Sequence, residues 1–330
     1  MRHLILVTMC VLLGPLTGTA LGQRTWTFED RYYYEALKAE PRAARISLIV
    51  PGWSEAFPFS EETGDRFAWQ ITLGRELPIV GVESAIPNGR FGPGQWGVGL
   101  WIPVSFHMIE DFKDDSNPIV NTDYRFGAMA KAQVGLERDA QLEFRLTPWA
   151  HESTHLGDEF TINAARLFPT FERVNVSYEY YEYGVSYHTS SWTIRHGGIN
   201  LWGEDGYYSD HLLGDDTPTL SPSVANYEPS FGIEWTAPEV VKPNGTIGRA
   251  LFVSLDLRRR LIYQFHRAPG VDERHQWSWS LAVGRALPED VTGVPLRDYF
   301  LQLYHGVNPH GQLRSQPDYT YVGLGFTFGR

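Results

Sequence analysis

Hydrophobic and polar residues alternate with a period of two through much of the chain, which is the signature of strands with two unlike faces. Val98, Leu100, Ile102, Val104, Phe106 and Met108 share one face, against Gly97, Gly99, Trp101, Pro103, Ser105 and His107 on the other. Val120 to Val134 sets Tyr124, Phe126, Ala128, Ala130 and Ala132 against Asp123, Arg125, Gly127, Lys131 and Gln133. Leu142, Phe144 and Leu146 oppose Glu143, Arg145 and Thr147. Phe231, Ile233 and Trp235 oppose Glu228, Ser230, Gly232 and Glu234. Leu251, Val253, Leu255 and Leu257 oppose Ser254, Asp256 and Arg258, and Trp277, Trp279, Leu281 and Val283 oppose Ser278, Ser280, Ala282 and Gly284.

Strands are predicted over 44–50, 67–77, 96–108, 119–134, 139–152, 172–188, 191–202, 227–236, 249–260, 276–286, 296–306 and 319–328. Several exceed the usual five or six residues and reach the roughly 9–11 that a tilted membrane strand needs. Charged residues stand mid-strand on the second face, and no helices are in prospect to cover a sheet. A closed antiparallel up-and-down transmembrane β-barrel of about twelve strands satisfies all of this, with the apolar face toward lipid and the charged face toward the lumen. The run 172–188 changes phase between Tyr178 and Val185, which predicts a bulge. A tight turn there instead would raise the count to fourteen, since such barrels keep an even number.

Composition agrees. Aromatics make up 14% of the chain beside 32 glycines, as expected for aromatic girdles and turns. The formal net charge of −11 argues against nucleic acid as a partner. At the N-terminus Arg2 and His3 precede the apolar run Leu4–Leu13, then Gly14-Pro15 and the small-residue exit Ala20-Leu21-Gly22. That run is too short to span a bilayer as a helix and reads as a cleavable export signal, residues 1–22, with a mature start near Gln23. Cys10 falls inside it, so the mature chain carries no cysteine and no thiol chemistry. Residues 23–43 read as a periplasmic N-terminal segment, with Asp30 to Ala39 a candidate short helix beneath the barrel or tucked into it. Residues 44–330 form the barrel as one domain. The closing stretch Tyr321-Val322-Gly323-Leu324-Gly325-Phe326-Thr327-Phe328 resembles the C-terminal assembly signal of outer-membrane barrels, except that Gly329-Arg330 follows.

Five segments carry a family resemblance: Ala39-Glu40-Pro41-Arg42, Asn121–Gly127, His151–Phe160, Arg173–Glu179 and Tyr304–Gln312. Together they resemble a bacterial outer-membrane family known only as a domain of unknown function, number 1207. Its most specific part here is Ser153, His155, Leu156, Gly157, Asp158, Glu159 and Phe160, with Asn308 and Gly311 in the last segment. Thr154 stands where a second Ser is expected, and His310 where Asn is expected. The resemblance implies a barrel in the outer membrane of a Gram-negative cell and implies no activity.

The segment His151–Glu159 concentrates hydroxyl, imidazole and carboxylate groups at one strand end. Phospholipase A barrels and lipid A deacylases use a His-x-Ser pair on a strand near the outer leaflet. His151-Glu152-Ser153 has that spacing, and Glu159 or Asn163 can orient the imidazole. Residues two apart on a strand share a face. Continuing the phase of Leu142, Phe144 and Leu146 places His151 and Ser153 in the lumen, away from lipid, unless a bulge at Pro148 inverts it. A lumenal Ser153 fits a polar network at the barrel mouth, whereas a lipid-facing Ser153 revives lipid hydrolysis. His151, His155, Asp158 and Glu159 include metal-ligand types but match no tight zinc spacing. The acidic runs Glu110-Asp111/Asp114-Asp115 and Glu204-Asp205/Asp210/Asp215/Asp216 lack the EF-hand pattern and read as solvated loops. No metal or other cofactor is expected.

Asp123, Arg125, Lys131, Glu143, Arg145, Glu228, Glu234, Asp256 and Arg258 are the expected lumen-lining charges, with Lys131 and Glu143 as cross-strand partners. They suit a narrow, porin-like channel for small polar solutes or a filled structural barrel. The expected partners are outer-membrane lipid and lipopolysaccharide, and the barrel assembly machinery through the last strand.

Overall fold

The computed structural model describes residues 23–29, 33–54, 68–84, 91–111, 119–136, 140–158, 176–208, 226–238, 250–262, 274–287, 296–313 and 318–329. Thirteen strands run in chain order: β1 (Gln23–Thr27), β2 (Ile46–Ser54), β3 (Ala68–Ser84), β4 (Trp96–Asp111), β5 (Ile119–Gly135), β6 (Gln141–Leu156), β7 (Val176–His188), β8 (Trp192–Tyr208), β9 (Asn226–Thr236), β10 (Ala250–Ile262), β11 (Arg274–Ala286), β12 (Leu296–Gly306) and β13 (Tyr319–Phe328). Every pairing is antiparallel, each strand from β2 to β13 pairs with its sequence neighbours, and β13 returns to pair with β2, so β2 to β13 close a twelve-stranded barrel of outer-membrane type. β1 stands apart from this circuit: it pairs with the end of β3, Gln23 opposite Ser84 through Thr27 opposite Val80.

The twelve predicted strands are the twelve barrel strands. Period two is a direct readout of which face meets lipid. Leu73, Ile102, Val104, Phe144, Leu146, Ile194, Leu251 and Leu324 all lie on the exposed outer face. β7 holds one phase from Glu179 to Ser186, with Tyr180, Glu182 and Ser186 buried inward. The phase change expected between Tyr178 and Val185 is therefore absent. An aromatic at an inward position, Tyr180, had mimicked one.

The irregularity lies on β6 instead. Thr147 faces Glu182 while Ala150 faces Tyr180, and on the other side Leu146 faces Ala130 while Trp149 faces Ala128. β6 thus carries one extra residue against both neighbours, a β-bulge. Pro148 sits at it, and a residue with no N–H cannot complete a ladder on a central strand. Inserting one residue in a period-two element swaps its faces. Before the bulge Glu143, Arg145 and Thr147 are buried inward; after it Ala150, Glu152 and Thr154 are.

The barrel's interior holds a segment of its own chain. Residues 33–45 enter from the end with the short turns (Leu136 to Ala140 and Thr189 to Trp192) and run up the lumen. This segment is neither helical nor outside the barrel over its described residues; a chain surrounded by inward polar side chains can satisfy its backbone groups without a helix. At the base Trp26 packs on Trp101 at 5.3 Å, and Tyr33 meets Phe91 at 5.6 Å and donates to Glu83 at 2.6 Å. Higher up, Leu37 lies against Gly232, where any Cβ would collide with it. Ala39 packs among Phe252, Ala282 and Phe300. Arg45 closes the turn by donating to the carbonyls of Leu37, Lys38 and Glu40 at 3.0–3.2 Å.

Candidate functional site

Two constellations stand out, one inside and one outside. Inside, the strap formed by residues 33–45 is held by a column of buried ion pairs. Tyr34 lies between the Arg145 and Arg195 guanidinium groups, 4.6 and 4.0 Å from its ring centre. Lys38 pairs with Asp298 at 2.8 Å, and its backbone N–H donates to Glu234 at 2.8 Å. Glu40 faces Arg195 at 3.4 Å and Arg258 at 3.8 Å. Burial alone would raise the Glu40 carboxyl, but Arg145, Arg195 and Arg258 outweigh it and hold it down at about 2.

Arg42 is the topmost anchor. It reaches Glu152 at 2.6 Å, Asp123 at 3.2 Å and the Pro309 carbonyl at 3.0 Å. Asp123 also accepts from the Gly311 N–H at 3.3 Å and lies 3.5 Å from the His310 ring, so the 307–313 segment is pinned into the same mouth. Asn308 accepts from the His310 N–H at 3.1 Å. Leu313 packs with Ala68, Ile109, Val120 and Leu156 beside it.

All nine expected lumen charges point inward. Arg125 and Arg145 share Glu182, at 3.1 and 2.6 Å. The expected Lys131–Glu143 ladder is not formed: Lys131 stands opposite Arg145, Gln133 stands opposite Glu143, and Lys131 pairs with Glu76. A two-residue error in register across the turn accounts for it. Tyr34, Glu40, Arg42, Glu76 and Glu182 are network members that period-two reasoning missed. The available signal was the Ala39-Glu40-Pro41-Arg42 run, a paired charge set ahead of the first strand.

The outer constellation reverses an expectation. His151 and Ser153, placed in the lumen by uninterrupted alternation, lie on the lipid side with His155, because the bulge at Pro148 inverts β6. Ser153 Oγ and His155 Nε2 are 3.2 Å apart. His155 meets Tyr124 edge-on at 5.8 Å, and His151 packs on Phe126 at 5.4 Å. Across β7, Ser177 is opposite Ser153 and Glu179 opposite His151. Below them Phe126 and Trp149 pack at 5.4 Å, and the outward row continues as Leu146, Phe144 and Leu142. The cluster therefore sits where apolar surface gives way to aromatics, the position of an interfacial girdle. The imidazole bonded to Ser153 is His155, not His151. Leu156 turns inward, Gly157 donates to the Val120 carbonyl at 3.1 Å, and Asp158 closes the described segment. Glu159, Phe160 and Asn163 lie outside the described residues, as do Asp114, Asp115, Asp210, Asp215 and Asp216. Among the described residues no group of three or more His, Cys, Asp or Glu could hold a metal ion.

The family described as Protein of unknown function (DUF1207) matches residues 23–243. The chain belongs to it. No curated protein matches. Among solved structures, the chain is similar to an active-site mutant of outer membrane phospholipase A from Escherichia coli, with TM-score 0.49, 12% identity, 90% of this chain and 91% of that one covered. The Salmonella typhi outer membrane phospholipase dimer with bound calcium gives TM-score 0.44, 12% identity, and 88% and 94% coverage. OprD, an outer membrane protein of Pseudomonas aeruginosa, gives 0.32, 9%, and 90% and 97%. These likenesses are loose ones of barrel architecture and carry nothing about chemistry.

Proposed function

We propose that this protein is exported by its first 22 residues, resides in the outer membrane of a Gram-negative cell, and hydrolyses an ester of an outer-leaflet lipid with Ser153 as nucleophile. One observation carries the reading. The bulge at Pro148 puts Ser153 and His155 on the lipid side, within hydrogen-bond distance, where the apolar belt ends. His155 Nε2 takes the Ser153 proton as Oγ attacks the ester carbonyl carbon. The proton then passes to the departing alcohol oxygen as the ester C–O bond breaks. Water, deprotonated by the same imidazole, releases the acyl group as a carboxylic acid and restores Ser153. Tyr124, Phe126 and Trp149 offer aromatic surface for the acyl chain. The test is release of fatty acid from mixed phospholipid and lipopolysaccharide bilayers by the purified barrel, with Ser153→Ala as control.

A second reading, a purely structural barrel, is favoured by the occupied lumen. The strap and the 307–313 segment occupy the space an open channel for polar solutes needs, so conduction would require the buried Arg42 pairs to break. A planar-bilayer recording separates the two states of the lumen.

A further inference from the structure

Ser153 and His155 stand on the last stretch of β6, where the ladder gives little support. Below them lies the bulge at Pro148. Above them the pairing with β7 ends at Thr154 opposite Val176. Among the described residues, His155 and Leu156 are therefore paired on the β5 side alone, opposite Thr122 and Asn121. Strand ends with few partners open at little cost in free energy.

Support comes instead from inside the barrel. Glu152, Thr154 and Leu156 alternate with Ser153 and His155, and all three are buried inward. Each rests on a segment inserted into the lumen. Glu152 accepts from Arg42 at 2.6 Å, and Arg42 also donates to the Pro309 carbonyl at 3.0 Å, so one guanidinium ties strand to loop. Thr154 lies against Gly311, where a Cβ would strike the Thr154 methyl group. The Gly311 N–H donates at 3.3 Å to Asp123, which stands directly opposite Thr154 on β5. Leu156 packs with Leu313, the last residue of the short turn Gly311–Leu313, and with Val120 and Ile109. Gly311 and Leu313 thus back the two inward residues that bracket His155.

We propose that the 307–313 segment positions the Ser153–His155 pair, with Gly311 and Leu313 as positioning residues acting through Thr154 and Leu156. The inference rests on the hydrolytic reading of Ser153. Neither residue touches substrate, because the barrel wall stands between. They fix the backbone over 154–156, and that backbone sets the 3.2 Å approach of the imidazole to the Ser153 oxygen. Proton transfer tolerates little displacement there, since a shift of about 1 Å costs on the order of a hundredfold in rate. Gly311 does not have a positive φ, so its missing side chain is what the close approach uses.

Initial rates of fatty-acid release by the purified barrel, over a series of lipid densities in phospholipid and lipopolysaccharide bilayers, test it. Gly311→Ala is expected to lower kcat at least about tenfold with KM within about twofold, because the aromatic surface on the lipid side is untouched. Adding Thr154→Ser removes the methyl group in the way and is expected to return most of the loss, which a general loss of stability would not allow. Gly81→Ala, whose Cβ strikes Trp26 at the base of the lumen, is expected to leave kcat unchanged. Heat-modifiable gel mobility checks that each variant is folded. Should Gly311→Ala fail to fold, Leu313→Ala takes its place, with the same fall in kcat expected. Wild-type kcat in the folded variant, a fall in Gly311→Ala that Thr154→Ser does not reverse, or an equal fall in Gly81→Ala overturns the inference and leaves the role of Ser153 standing. No turnover by the folded wild-type barrel overturns both.

Discussion

Replacing Arg42 by Met removes a charge from the strap's topmost anchor and keeps most of its alkyl stem. The side chains involved are 10% exposed for Arg42, 5% for Glu152 and none for Asp123. The substitution thus strands two buried carboxylates and one carbonyl. Breaking a buried pair from one side costs about 3–5 kcal/mol, whereas an exposed pair is worth about 0–1. At about 1.4 kcal/mol per power of ten, amide exchange within residues 33–45 should accelerate by roughly two to three and a half powers of ten. Guanidinium unfolding in micelles, followed by tryptophan emission, should lose up to the same free energy with an unchanged slope. Adding Glu152→Gln should return part of the loss, because one stranded charge is gone. A loss under 1 kcal/mol with unaltered exchange would mean that the strap is not held by these pairs.

The purified barrel should show no steady ohmic steps in a planar bilayer, and regular openings at rest would refute an occupied lumen. Gly232→Val should cost about 1–3 kcal/mol by driving a side chain into Leu37, read by thermal unfolding. The Glu40 carboxyl is held lower in the fold than the ordinary value of about 4.3, so its stabilisation is complete above that pH. The contribution declines as pH falls toward about 2, and Glu40→Gln should flatten that part of the stability profile. Equal acid sensitivity of wild type and Glu40→Gln would refute the assignment.

The barrel was legible because lipid imposes one simple demand: every outward residue apolar at every second position. The strands of weakest alternation, β2 and β3, were still found by their flanks, although β3 runs on to Ser84, seven residues past its expected end. The strap was not legible, since residues inside a lumen obey no period and Tyr34, Leu37 and Arg42 are chosen by what surrounds them. The outer site was half legible. Residue types and spacing singled out Ser153, but its face depends on a single inserted residue. A lone proline within an alternating run, Pro148, was the only mark of it. The partner imidazole was misassigned for the same reason: both His151 and His155 are two residues away, and only the folded geometry chooses between them.

The most direct measurement is fatty-acid release from phospholipid and lipopolysaccharide bilayers by wild type, Ser153→Ala and His155→Gln, with Glu152→Gln as an inward-facing neighbour. The account predicts turnover by wild type and Glu152→Gln, and its loss by at least a hundredfold in Ser153→Ala and His155→Gln. Equal turnover by wild type and Ser153→Ala, or none by a folded wild-type barrel, would contradict it.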